Sequence, residues 1–137
     1  MPGIGGFTIL DDKITSGEDA GVCFFLEEES IGRPRGEQAC MLISEMNPDV
    51  SGTYVIQVPL SLRMGFNYKN PESVISQNPQ FFNQFSIVIA TGLNESTSLS
   101  LSKILWPLNI PLILVRSIGF IGSFRIIVPE LTRLPFI

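Results

Sequence analysis

Three apolar runs decide the fold: Phe85-Ser86-Ile87-Val88-Ile89-Ala90-Thr91, Pro111-Leu112-Ile113-Leu114-Val115 and Phe124-Arg125-Ile126-Ile127-Val128. Between the first two, Asn94-Glu95-Ser96-Thr97 offers helix N-cap residues, and Leu101, Ile104, Leu105 and Leu108 recur at helical spacing. Pro107 and Pro111 close that helix, because proline lacks the N–H a continuing helix needs. Strand, crossover helix and strand make a βαβ unit, the building block of parallel sheets covered on both faces.

Working outward, Phe7-Thr8-Ile9-Leu10 is a β-favouring run ending at Asp11-Asp12. Gly3, Gly5 and Gly6 fail as a dinucleotide loop, since Thr8 stands where its last glycine belongs and the glycines precede a strand. They are read as a turn feeding the strand. Ser16 to Gly21 reads as polar loop, and Val22 to Leu26 as one helical turn. Arg33 to Met46 predicts an amphipathic helix with Pro34 in its first turn, an apolar face of Ala39, Leu42, Ile43 and Met46, and a stop at Asn47-Pro48. Thr53 to Gln57 is the next strand. Val58 to Lys69 has neither period and is read as an inserted loop. A short helix is expected near Pro79 to Asn83, and Ile118 to Ser123 is expected to link the last two strands. The order β–α–β–α–β–α–β–β predicts an α/β, Rossmann-like three-layer fold with a mostly parallel sheet. Ligands of such sheets sit at the strands' C-terminal ends, here the loops Asp11–Asp12 and Thr91–Glu95.

Composition narrows the chemistry. The 137 residues are 45% apolar and 16% charged, enough for one domain with a sizeable core. A net charge of −4 with basic residues scattered singly, apart from Arg33 and Arg35, argues against nucleic-acid binding. The charge-free run Ile104 to Val115 holds two prolines and falls short of the roughly 18–20 residues of a membrane span. The opening residues lack the pattern of a secretory signal. There is no histidine, which removes imidazole acid–base catalysis and most zinc patterns. Cys23 and Cys40 are expected as buried thiols in a reducing compartment.

Few single residues carry a chemical signal. Asp11 stands where doubly wound folds often keep a ribose-binding acid, and a turn or capping aspartate fits the same place. Trp106 is read as a packing residue and Glu27-Glu28-Glu29 as a solvated helix end. Arg116 and Arg125 beside buried-type strands are candidate partner-interface residues together with Phe120, or else snorkelling side chains.

Phe7–Asp11, Ser16–Gly21, Phe24-Phe25-Leu26, Ser30-Ile31-Gly32, Asp49–Gly52, Asn78–Phe82 and Phe85 through Val128, with Ala90–Thr97 most telling, together resemble one family. It is the regulatory, non-catalytic subunit of the heterodimeric neddylation-activating enzyme, within the ThiF/MoeB-like ubiquitin-activating superfamily. The resemblance excludes only Val58–Lys69 and the divergent tail, 130–137. It implies a single, partial ThiF-type pseudo-adenylation domain over residues 1–137, lacking the usual first strand and glycine-rich loop and truncated at both ends. The missing strand would lie between Phe7–Leu10 and Phe85–Thr91, and its loss would expose two hydrogen-bonding edges.

A catalytic adenylation half, as the resemblance implies, places an Asn, Arg and Gln at the ATP phosphates, a Lys after Gly-Arg-Pro, and an aspartate at magnesium. Here Gly21, Val22 and Cys23 stand at the first three positions, Arg35 replaces the lysine and Asn94 the aspartate. Asp11, Arg35 and Asn94 are therefore vestigial positions, with no catalytic residue, cofactor or metal expected on this chain. ATP and Mg are expected on the catalytic partner, and the ubiquitin-like modifier is contacted indirectly. The resemblance implies cytoplasmic and nuclear localisation. A free-standing ThiF/MoeB-like adenylyltransferase and a truncated fragment without independent function are the alternatives.

Overall fold

A computed structural model describes residues 3–55 and 71–129. The insert at 58–69 and the tail at 130–137 lie outside the described residues. The chain divides into two compact units, Met1–Pro71 and Glu72–Ile137. Its strands fall into two sheets, β1-β2 and β3-β4-β5.

In the first unit, β1 (Gly6–Leu10) pairs in parallel with β2 (Ser51–Val55), Phe7 opposite Gly52 and Ile9 opposite Tyr54. Helix α2 (Arg35–Met46) is the crossover and packs on both strands. Its buried residues are Gly36, Gln38 and Cys40, while Met46 is exposed. Of the expected face of Ala39, Leu42, Ile43 and Met46, the first three are half-buried and only Met46 is exposed. The closest approach to the sheet is made by a row of small residues, Gly36, Cys40 and Ser44, spaced four apart along one side of the helix. A Cβ on Gly36 would lie 3.3 Å from the Cβ of Asp11, and one on Gly52 would lie 2.5 Å from Ser44 Oγ and 2.9 Å from Cys40 Sγ. Small side chains let the helix approach this closely, which large apolar ones could not.

The segment read as polar loop is a helix, α1 (Gly17–Val22), and the apolar run after it is not. Ser16 caps α1 and Asp19 completes a reciprocal capping box, so two polar side chains satisfy the orphan backbone donors of the first turn. A 3-10 turn at Glu28–Ser30 follows, with Glu27, Glu28 and Glu29 exposed as expected.

In the second unit α3 (Pro71–Gln77) and a 3-10 stretch (Pro79–Gln84) lead into β3 (Val88–Thr91). Helix α4 (Glu95–Leu105) then crosses to β4 (Leu112–Ile118), which pairs in parallel with β3. Asn94 caps α4, accepting from Thr97 N–H. Leu101, Leu105 and Leu112 are the most deeply buried large side chains, and α4 packs against β4. Trp106, expected to pack, is half exposed just past the helix end, and Leu108 is exposed too. β5 (Ile121–Ile127) runs antiparallel to β4, with Ile118 opposite Ile121. The expected link over Ile118–Ser123 therefore shrinks to a two-residue turn, Gly119-Phe120. Gly119 has φ of +57° while Phe120 does not share the positive sign, the pattern of a hairpin turn that puts glycine first. On the sheet face opposite Leu112, Ile89, Phe124 and Ile126 are exposed.

Candidate functional site

At the C-terminal end of β1 the chain turns through Asp11, whose Oδ1 accepts from Lys13 N–H at 3.0 Å, an Asx-type local bond. Backbone bonds then hold the residues after Asp11 against those before α2. Thr15 N–H donates to Arg33 O at 2.8 Å, Gly32 N–H to Thr15 O at 2.9 Å and Arg35 N–H to Lys13 O at 2.9 Å. This pairing delivers Arg35, the first residue of α2, to Asp11. Its Nε donates to Asp11 Oδ2 at 2.6 Å and its Nη1 to Asp19 Oδ1 at 2.8 Å. The sequence points to Asp11 and Arg35 separately, and the structure brings them together.

Asp19 has no place among the sequence candidates, although Ser16-Gly17-Glu18-Asp19 carries the S-x-x-D signature of a capping box. Its Oδ2 accepts from Ser16 N–H at 2.9 Å and Ser16 Oγ at 2.6 Å. These two bonds, with the Arg35 guanidinium third, hold the Asp19 carboxyl well below the usual carboxylate range. Arg35 is pushed up, first by its bond to Asp11 and then by Asp19, against a partial burial that works the other way. Two carboxylates on one guanidinium leave the cluster with a net charge of about −1.

The sign of the resulting pH dependence follows directly. A depressed carboxylate stabilises the fold above its unfolded pKa and loses that contribution as pH falls through the lower folded value. Ser16→Ala removes one of Asp19's donors and the cap itself. It is expected to raise the Asp19 pKa toward the ordinary value and to speed amide exchange in α1. Side-chain NMR titration and hydrogen exchange read both, and an unmoved Asp19 titration would count against the capping box as the main cause.

In the second unit, Asn94 sits in the predicted loop at the end of β3. Its Oδ1 accepts from Thr97 N–H and from Ser96 Oγ, each at 2.8 Å, and its Nδ2 donates to Glu72 Oε1 at 2.9 Å. Glu72 also accepts from Thr97 Oγ1 at 3.4 Å. Both ends of the Asn94 amide are thus committed to capping α4 and tying it to α3. Glu72 gives no sequence signal, because it lies in a different helix, 22 positions before Asn94. Of the interface candidates, Arg116 donates to Leu93 O at 3.4 Å, Arg125 is exposed on β5, and Phe120 is fully exposed at the hairpin tip.

Cys40 is buried, and burial pushes its thiol up, with the bond to Ser44 acting more weakly the other way. A thiol so placed is a poor nucleophile. Cys23 is half-buried rather than buried as expected. Among the described residues no cluster of three or more His, Cys, Asp or Glu could hold a metal ion. No described helix is long and apolar enough to cross a membrane.

Parallel βαβ units with short polar loops at the strand ends define this as a Rossmann-like α/β protein, one whose strand-end cation is already paired with acids. The crystal structure of Escherichia coli MccB with MccA shares this fold, with a TM-score of 0.67 and 15% identity over 91% of this chain and 34% of that one. No protein-family model matches the chain. The NEDD8-activating enzyme E1 regulatory subunit of Gallus gallus is 44% identical over 130 residues, 95% of this chain and 22% of that protein. The corresponding subunit AXR1 of Arabidopsis thaliana is 34% identical over the same length and shares. The chain is homologous to one segment of the NEDD8-activating enzyme E1 regulatory subunits, as the resemblance in its sequence implies. It spans about a fifth of the length of these relatives, 22% in each of the two cases above.

Proposed function

We propose that this chain serves activation of a NEDD8-type ubiquitin-like modifier as a non-catalytic half, pairing with a catalytic adenylating subunit. Its relatives at 34–44% identity are named as regulatory subunits of the NEDD8-activating enzyme. The observation that carries the non-catalytic reading is the state of Arg35. Its guanidinium is held by Asp11 at 2.6 Å and Asp19 at 2.8 Å. A triphosphate approaching this guanidinium would meet the two carboxylates that hold it, and freeing the guanidinium would strip both of their partner. Adenylating sites need the reverse, cations directed at the phosphates and an acid left free for magnesium.

The third vestigial position of the resemblance, Asn94, is consumed by capping. Its amide has no acidic oxygen to offer a hard cation, and its donor is already on Glu72. ATP and Mg accordingly belong to the catalytic partner in this reading, and the modifier is reached through that partner, in cytoplasm and nucleus. No residue of this chain is given a catalytic role.

Two measurements test it. ATP–pyrophosphate exchange by the purified chain with NEDD8 is expected to stay at background, and exchange well above it would favour the free-standing adenylyltransferase. Co-expression with the catalytic subunit of the NEDD8-activating enzyme is expected to give co-purification of the two chains. Failure to co-purify would sink the pairing.

A further inference from the structure

The sheet of the second unit ends on a strand with an open side. β5 pairs with β4 along one edge and with no other described strand. Edge strands are ordinarily kept short, or carry proline, lysine or a bulge, because their free N–H and C=O groups otherwise template another chain. β5 has none of these devices. It runs seven residues, Ile121-Gly122-Ser123-Phe124-Arg125-Ile126-Ile127, in unbroken register with β4, and Arg125 is its one charge. All but Ile127 are exposed, Ile121 by 79% and Phe124 by 73%.

The hairpin fixes which backbone groups face outward. Ile118 and Ile121 flank the two-residue turn and so form a hydrogen-bonded pair, and bonded pairs recur at every second residue. Ser123, Arg125 and Ile127 therefore also direct their N–H and C=O at β4, while Gly122, Phe124 and Ile126 direct theirs away from it. Pro111, just before β4 and of the opposite set, accepts from Val88 N–H of β3 at 2.9 Å, which is the same alternation seen from the other edge. Two such edges fit each other antiparallel when Phe124 meets Phe124 of the second copy. Ile121 then lies opposite Ile127, Gly122 opposite Ile126 and Ser123 opposite Arg125, so all of β5 is paired through about six backbone bonds. The next register, centred on Arg125, would set two guanidiniums directly opposite and leave Ile121 without a strand partner.

We propose that two copies of this chain associate through β5, edge to edge about a two-fold axis at Phe124, joining the three strands of each copy into one sheet. The chain itself supplies the complementary surface. Every outward N–H meets an outward C=O, Phe124 meets its own copy across the axis, and Arg125 faces a neutral serine. The contact uses the same patch on both copies, so it closes at a dimer. It does not depend on the pairing with a catalytic subunit proposed above.

Sedimentation equilibrium of the whole chain at rising concentration tests the proposal. A mass about twice the 15.1 kDa of one chain is expected, and a species that stays at one chain, or that grows without closing, overturns it. Phe124→Pro deletes an outward N–H on each copy and spares the bonds to β4. It is expected to raise the dimer dissociation constant about a hundredfold with an unchanged circular dichroism spectrum. Dimers as tight as those of the unaltered chain would place the contact elsewhere and overturn the proposal. Phe124→Cys reads the same contact should the proline variant unfold. Directly opposed residues of a bonded pair have Cα atoms about 5.5 Å apart, within disulfide reach. A mild thiol oxidant is therefore expected to give covalent dimers of Phe124→Cys, beyond any formed by the unaltered chain through Cys23 or Cys40. Covalent dimers from Ser123→Cys and none from Phe124→Cys would overturn the register and with it the axis at Phe124.

Discussion

Gly52→Ala is expected to destabilise the first unit by about 1–3 kcal/mol, the usual cost of forcing extra volume into a packed site. A Cβ at this position would lie 2.5 Å from Ser44 Oγ, 2.7 Å from Phe7 Cζ and 2.9 Å from Cys40 Sγ. Three side chains from two different elements would have to move together. Ser44 is not free to rotate away without loss, because its Oγ donates to Cys40 O at 2.8 Å. Cys40 is buried, and Phe7 is the direct cross-strand partner of Gly52 in β1. Relief would therefore separate α2 from the β1–β2 pair. That would strain the Tyr54 hydroxyl bond to Glu37 at 3.0 Å and the delivery of Arg35 to Asp11. Urea denaturation should show a lower midpoint with an unchanged slope. A midpoint equal to that of the unaltered chain would mean that the helix stands further from the sheet than these three distances require.

Gly52 also shows where reading the sequence stops short. Large apolar residues at helical spacing are the visible signal in Arg35–Met46, and they leave out the most deeply buried positions, Gly36, Gln38 and Cys40. What seats α2 is a row of small residues facing a glycine on a strand, and close approach leaves no hydropathy signature. The strand signal has no such ambiguity. The runs around Ile9, Ile89, Ile113 and Ile126 each form a strand, because continuous β-branched sequence bounded by turns fits little else at that length. The boundaries shift where local hydrogen bonding overrides hydropathy. Ser16 and Asp19 make a helix of a stretch that reads as loop, and Gly119 lets β5 start three residues before Phe124.

The candidate site is legible in part for a similar reason. Asp11, Arg35 and Asn94 come from matching positions, which fixes identity but not what each side chain touches. Asp11 and Arg35 are 24 positions apart, and only the backbone pairing of Lys13–Thr15 with Arg33–Arg35 makes them an ion pair. Asp19 then joins because α1 exists. A helix read as loop hides the second carboxylate, and with it the second ion pair of the guanidinium. Of the two open readings of Asp11, ribose acid or local turn residue, the structure shows the turn bond and adds an ion pair. Asp11 closes an Asx turn with one oxygen and pairs with Arg35 through the other.

Leu101→Ala carries the largest cost expected in the second unit, about 2–5 kcal/mol, the range for truncating a fully buried leucine whose surroundings relax only partly. Leu101 is 2% exposed, in the middle of α4 rather than at a fraying end, and α4 packs against β4 beside the equally buried Leu105 and Leu112. The helix itself does not suffer from the change, since alanine is the better helix former, so the loss comes from packing alone. Leu99→Ala supplies the comparison. It removes the same atoms from the same helix at an exposed position, where substitutions stay within about 0.5 kcal/mol. The difference between the two midpoints therefore measures how firmly α4 is seated on the sheet. Because Asn94 caps this helix and binds Glu72, loosening α4 should also raise amide exchange at Thr97 and Ser98, whose N–H groups bond Asn94. Equal stabilities for Leu101→Ala and Leu99→Ala would mean that α4 does not bury the face its periodicity assigns to the core, and the βαβ reading of Phe85–Val128 would lose its packing basis.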